Sequence, residues 1–353
     1  MKKITSLLLA LTLCLGLLTL PAAAAAEDTA AKMQHTAEAL KYLTLFRGSD
    51  KGFELDRAPT RMEAVIMLVR LLGKENEALA GEWSHPFTDA PTWQNAAEYL
   101  GYAYESGLTR GTSATTFSPN APASARECVT LTLRALGYAD TDEGALWDRW
   151  EAQANEIGLI PAAMTTGNGF TRGDAVLLYY SALSCVMGND SAARLTDVLV
   201  ENGVFAPEAP AIAAAIAEDT IDPASDSLET VMAALYAKLP SDLSRMRTMT
   251  MEINADNAVY YLGVDTLDFE EAMASEPMMM AQAHSVCLVR VTPGTDVQAA
   301  MEAMRTGVDP QKWICVGVDP ENVRTAAIGD LILLVLDNRH SQEFIDTFLA
   351  MGA

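Results

Sequence analysis

The chain has 353 residues and half of them are apolar, enough for two domains with cores of their own. A net charge of −23 at pH 7 excludes recruitment to nucleic acid or anionic lipid by bulk attraction. The five cysteines are scattered without a CxxC spacing, which argues against a thiolate zinc site.

Lys2 and Lys3 precede an apolar run from Ile4 to Leu20, followed by Pro21 and five alanines. A positive start, an apolar stretch and a small-residue zone are the parts of a secretory signal peptide, expected over residues 1–26 with cleavage near Ala24 or Ala26. Removing the two lysines lowers the net charge to −25. The expected mature protein is exported. It keeps Cys128, Cys185, Cys287 and Cys315. The last two fall in expected strands, where a disulfide between them is one option and two free thiols the other.

The first half repeats itself. PTRMEAVIMLVRLLG from Pro59 aligns with ASARECVTLTLRALG from Ala123, so that Glu63 meets Glu127, Arg70 meets Arg134 and Gly73 meets Gly137. Phe53 meets Phe117 at the same offset. A third copy, FTRGDAVLLYYSAL, begins at Phe170 and sets Thr171, Arg172 and Asp174 on Thr60, Arg61 and Glu63. Apolar residues in each copy recur at helical spacing, with Thr132 breaking the stripe of the second. Another helical stretch ending near a glycine (Gly48, Gly107, Gly158) precedes each copy. No copy is large enough to bury its stripe alone, so the three are expected to pack around one core with pseudo-threefold symmetry.

Thr60 with Glu63, Ser124 with Glu127, and Thr171 with Asp174 have the spacing of capping boxes, which satisfy orphan backbone donors at a helix start. Arg61 and Arg172 are harder to explain. A cation in the first helical turn faces the positive end of the helix dipole, costing about 0.3–1 kcal/mol when exposed. Two offsets are open: a carboxylate from the chain itself, or an external anion shared with the free helix N–H groups.

Phe87-x-Asp89, Trp93, a helix, Gly107-Leu108, Gly111, Phe117-x-Pro119 and then the capped second helix together resemble the S-layer homology domain. The resemblance covers about residues 33–205. It implies an all-α domain of three prongs that binds pyruvylated secondary cell-wall polysaccharide on a Gram-positive bacterium, with no cofactor. Carried over by position, Arg61 and Arg172 would grip the ketal carboxylate, Asp89 would accept sugar hydroxyls and Trp93 would pack a sugar face. The copies depart from the pattern. Ala125 stands where arginine is expected, with Arg126 one residue late, a turn of about 100° on the helix. The first copy lacks the Phe-x-Asp opening, and the third carries Trp147-Asp148 and Gly173-Asp174 instead of the usual residues.

Residues 206–227, rich in Ala, Pro, Asp and Glu, read as a linker holding a short helix. Residues 228–353 read as a separate α/β domain, one sheet covered by helices. Its expected helices are Leu228–Leu239, Asn254–Leu262, Thr295–Arg305 and Ser341–Met351. Its expected strands are Ser285–Val291, Trp313–Val318 and Asp330–Leu336. SEPMMMAQAHSVCLVRV and the strand after Gly329 are similar to a domain of unknown function in exported Firmicutes proteins. His284 and Cys287, three apart in a strand, point to opposite faces and do not make a nucleophile–base pair. No His pair has metal-ligand spacing. The reading is a non-enzymatic surface protein tethered by its first half. The alternatives are a wall-acting enzyme, which needs two carboxylates about 5–10 Å apart across a cleft, and an interaction module whose repeats only hold a shape.

Overall fold

The computed structural model describes residues 26–140, 145–188, 192–240, 243, 246, 248–279 and 281–353. The expected signal peptide lies outside them but for its last residue. The chain divides into two compact units, the division falling between Ala213 and Ala214. That point lies inside a helix, α9 (Ala209–Glu218), which occupies the middle of the expected linker.

The first unit is helical. Helix α1 covers 26–42, and α2 (Arg61–Leu71), α3 (Glu75–Ala80), α4 (Ala96–Glu105), α5 (Ala125–Ala135), α6 (Trp150–Glu156), α7 (Arg172–Leu183) and α8 (Leu195–Glu201) follow. Helices α2, α5 and α7 come from the three aligned stretches, and each packs against the other two. Their starts are set by capping boxes at Thr60/Glu63, Ser124/Glu127 and Thr171/Asp174. The glycines after α4 and α6, Gly107 and Gly158, take the left-handed backbone of a helix stop, with φ of 73° and 70°. Burial on α2 and α7 exceeds one stripe: ten of the twelve residues of α7 are buried, as expected of a helix at the centre of a bundle. Tyr179 is fully buried there. Thr132 sits in the core because its hydroxyl donates to the Cys128 carbonyl, 2.8 Å away.

The second unit has helix α10 (Leu228–Lys238) and a five-stranded sheet in the order β1-β2-β3-β5-β4, antiparallel throughout. The strands are β1 (Thr248–Glu252), β2 (Phe269–Pro277), β3 (His284–Val291), β4 (Val323–Ile328) and β5 (Leu331–Asp337). Helices α11 (Ala258–Leu262), α12 (Val297–Gly307) and α13 (Ser341–Met351) complete it. Alternation along β5 sends Ile332, Leu334 and Leu336 to a core with α11 and α12, and Leu331, Leu333 and Val335 to a core with α10 and α13. Both faces are covered, which is why LILLVL carries no polar residue.

One expectation is corrected and two points are added. Trp313–Val318 is a loop, not a strand: Cys315 takes φ of 60°, which breaks an extended run. The strands β1, β2 and β4 were not anticipated: Met, Glu, Arg and Ala in them interrupt the Thr, Val, Ile and Phe that favour strands. Cys287 is buried in the sheet and Cys315 is exposed; both are free.

Gly263 ends α11 with φ of 72°, and a Cβ there would drive into the backbone of Gly307 and Val308. Gly263→Ala is therefore expected to destabilise the second unit by on the order of 2 kcal/mol or more. Urea unfolding measures this; an unchanged midpoint would contradict the contact.

Candidate functional site

The first turns of α2, α5 and α7 decide what the arginines do. At α2, the N–H groups of Arg61 and Met62 donate to the carbonyls of Ala121 and Pro119, at 2.9 and 3.1 Å. The loop before α5 thus seals the start of α2. The Arg61 guanidinium follows it: Nε donates to the Phe117 carbonyl at 2.8 Å and Nη1 to Glu127, with the Phe117 ring 4.9 Å beneath. At α7 the same arrangement recurs. Arg172 and Gly173 N–H donate to the carbonyls of Arg57 and Leu55, at 2.8 and 2.9 Å. Arg172 Nε donates to the Phe53 carbonyl at 3.0 Å, and Nη1 lies 3.3 Å from Glu63. Phe53 and Phe117 are the residues matched in sequence. Each arginine therefore reaches the capping-box acid of another copy.

The magnitudes favour this internal offset. Exposed, the helix dipole penalises the cation by at most about 1 kcal/mol. Breaking a buried ion pair costs about 3–5 kcal/mol, and the Arg61 and Arg172 side chains are only 11% and 6% exposed. Burial lowers the pKa of Arg172. Burial also raises the Glu63 carboxyl, but bonds from Arg57 and the Thr60 N–H, with the Arg172 charge, outweigh it and bring it to about 2. Arg57 is the second clasp, donating to Glu63 at 2.8 and 2.6 Å. Of the two offsets left open, the structure shows the internal one: Glu127 lies beside Arg61 and Glu63 beside Arg172.

Asp89 is also committed. Its carboxylate accepts the N–H groups of Phe117 and Ser118, at 2.8 and 2.7 Å. Those bonds hold its pKa below the ordinary aspartate value. It shapes the loop that receives Arg61. Trp93 is 47% exposed; its carbonyl accepts the Ala96 N–H at 3.1 Å, and its indole makes no hydrogen bond or ring contact among the described residues. Of the four candidates, Trp93 and Asp89 are exposed, and the Arg61 and Arg172 side chains are nearly enclosed.

The start of α5 breaks the pattern. Ala125 has no guanidinium to offer, and the Ala125 and Arg126 N–H groups meet no acceptor among the described residues. Asp174, which an arginine at 125 would reach, instead accepts the Thr165 N–H at 2.7 Å and the Thr171 N–H at 2.8 Å. Arg126 turns outward. Its guanidinium lies 4.3 Å from the Trp147 ring, with Nε donating to the Trp147 carbonyl at 2.8 Å and Nη2 to Asp148 at 3.0 Å. Sequence reading passed over this pair because Arg126 looked misplaced by one residue. The signal was a tryptophan opening the third copy beside that displaced arginine.

In the second unit, His284 is fully buried between Asp337 and Tyr236, both 2.7 Å from its ring nitrogens. Cys287 lies in the core on the other face, and burial pushes its thiol up to about 11. The two do not meet. Lys312 Nζ sits 2.6 Å from Glu276 Oε1, with the Tyr260, Tyr261 and Trp313 rings around it. This buried pair fastens the loop after α12 to the sheet. No group of His, Cys, Asp and Glu among the described residues is placed to hold a metal ion. No described helix is long and apolar enough to cross a membrane.

Comparison with known proteins adds three likenesses and one family match. Residues 86–124 match the S-layer homology domain. A middle cell wall protein of Brevibacillus brevis is 30% identical over 52% of this chain and 18% of its own length. A cell surface protein of Thermoanaerobacter kivui is 31% identical over 39% of this chain and 18% of its own. A surface layer protein of Brevibacillus choshinensis is 29% identical over 45% of this chain and 15% of its own. The chain spans less than a fifth of each relative. The family match is confined to residues 86–124, and the three likenesses are to wall and surface proteins.

Glu63 ties acid stability to the clasp. Its folded pKa of about 2 lies below the ordinary 4.5, so its contribution is fully present above pH 4.5 and is lost as pH falls toward 2. Glu63→Gln keeps a capping-box acceptor but removes the charge. The variant should be less stable than the parent at pH 7, and the difference should shrink as pH falls from 4.5 to about 2. Urea midpoints across that range measure it; a constant difference would contradict the assignment.

Proposed function

We propose that the chain is an exported, non-enzymatic cell-surface protein, held non-covalently on wall polysaccharide by residues 27–205. In this reading those residues form a pseudo-threefold domain of three degenerate S-layer homology repeats. The polymer is a pyruvylated secondary wall polysaccharide, and residues 228–353 form the part displayed at the surface. The observation that carries the reading is the family match at 86–124. The same segment builds the Asp89–Phe117 tie that receives Arg61, and it exposes Trp93. Among the residues first assigned to the ligand, glycan contact belongs to Trp93. Arg61, Asp89 and Arg172 hold the frame that presents it.

Two measurements test this. Cell fractionation should find the intact protein with the wall and released by denaturant, and the chain lacking 27–205 in the medium. Equal wall retention of the truncated chain would overturn the tether. Trp93→Ala should weaken binding to purified wall polysaccharide about 2–10-fold, the size of one aromatic contact, with unchanged thermal unfolding. Unaltered binding would remove Trp93 from the site.

A further inference from the structure

The two edges of the sheet in the second unit are finished differently. At one edge, β4 has α12 and α13 packed against it. At the other, β1 leaves Met249, Thr250 and Glu252 exposed. Its sequence, TMTME, has none of the devices that usually guard an edge. It carries no lysine and no proline, and its register with β2 runs without a bulge.

Backbone direction decides what that edge can do. The Ile253 N–H donates inward, to the Ala272 carbonyl of β2 at 2.9 Å. Bonding direction alternates along an antiparallel strand. Met249 and Met251 therefore face β2 with their backbone groups, and Thr248, Thr250 and Glu252 turn theirs outward. Among the described residues, one partner reaches that outward row: the Asn257 side chain donates to the Glu252 carbonyl at 3.1 Å. An exposed row of open backbone donors and acceptors is a template for another strand.

We propose that β1 is a dimer interface: two copies of this chain pair β1 with β1, antiparallel, about a two-fold axis at Thr250, and join their sheets into one. The row is complementary to itself in that register. Thr250 exchanges both of its backbone bonds with Thr250 of the second copy. Each Glu252 N–H meets the Thr248 carbonyl of the other copy, which leaves the Asn257 contact undisturbed. Met249 falls opposite Met251, so apolar side chains meet across the axis, on the face where Tyr261 already reaches the Met251 sulfur at 3.4 Å. Glu252 falls opposite Thr248 and not opposite Glu252, so the one charge on the strand is never set against its own kind. The covered edge at β4 stops the pairing at two copies. An interface this short is weak in dilute solution and forms as concentration rises. The proposal goes beyond wall binding and does not depend on it.

The test is sedimentation equilibrium of the mature chain, residues 27–353, from low to high micromolar concentration. The parent should pass from monomer to dimer and go no further. Salt should strengthen the dimer, since it screens the net charge of −25 on each copy. Thr250→Pro removes an outward N–H, and an edge strand tolerates proline. Thr250→Lys keeps that N–H and sets like charges opposite each other across the axis. Each should weaken the dimer by at least about tenfold, with thermal unfolding unchanged; if Thr250→Pro lowers the unfolding temperature, Thr250→Lys carries the comparison. Register is read by cross-linking in a Cys315→Ser background, which removes the exposed thiol. Thr250→Cys places the two thiols on residues whose Cα atoms are about 5.5 Å apart, within disulfide reach. Glu252→Cys places them about 13 Å apart or more. Oxidation at dimer-forming concentration should link the first and leave the second monomeric on a denaturing gel. A parent that stays monomeric throughout would overturn the proposal, and so would a dimer that Thr250→Lys leaves within twofold of the parent. Equal cross-linking at 250 and 252 would overturn the two-fold register.

Discussion

The first unit depends on one recurring interaction: an arginine at the start of one helix is held by the acid that caps another. Arg61 goes to Glu127 and Arg172 goes to Glu63. Each acid does two jobs, since Glu63 and Glu127 also accept the backbone N–H of their own N-cap residues. A capping box is a local device, worth about 1 kcal/mol at its own helix. Recruiting its carboxylate as the partner of a buried cation makes it a long-range device that fixes how the helices meet. The Phe53 and Phe117 carbonyls, each receiving an arginine Nε, complete the joint.

The departures within the repeat are consistent with that joint. Ala125 and Asp174 are the two members of the missing arginine–acid pair. With no guanidinium to reach for, the acid of the third copy is one carbon shorter and turns to the Thr165 and Thr171 amides. Gly173 has its own reason: a Cβ there would strike the Met33 side chain. Among the described residues the joint is made at Arg61–Glu127 and at Arg172–Glu63.

Much of this was legible in the sequence, and the limits were physical. Capping boxes, glycine stops and the buried helix faces follow from local chemistry, so α2, α4, α5 and α7 could be placed from residue spacing. The continuous apolar run of β5 announced a sheet covered on both faces. What could not be read was pairing. The cost of a cation at a helix start pointed correctly to a missing carboxylate, but nothing in the order of residues says whether that carboxylate lies elsewhere in the chain or outside it. Glu127 is far from Arg61 in sequence and next to it in space. The strands β1, β2 and β4 were missed for a related reason: they gain their stability from neighbours, and Met, Glu, Arg and Ala dilute the strand formers within them. In the second unit, His284 and Cys287 could be separated from the two-residue alternation alone, whereas the His284–Asp337–Tyr236 and Lys312–Glu276 contacts depend on tertiary placement.

The most direct test of the joint is a double-mutant cycle on Arg61→Ala and Glu127→Gln, read by urea unfolding of the mature chain at pH 7. If the guanidinium and the capping acid hold each other, the two changes should be coupled by about 1–3 kcal/mol, the second costing much less once the first is made. Effects that simply add, to within about 0.5 kcal/mol, would mean that the two groups do not depend on one another, and the arginines would need a partner from outside the chain after all.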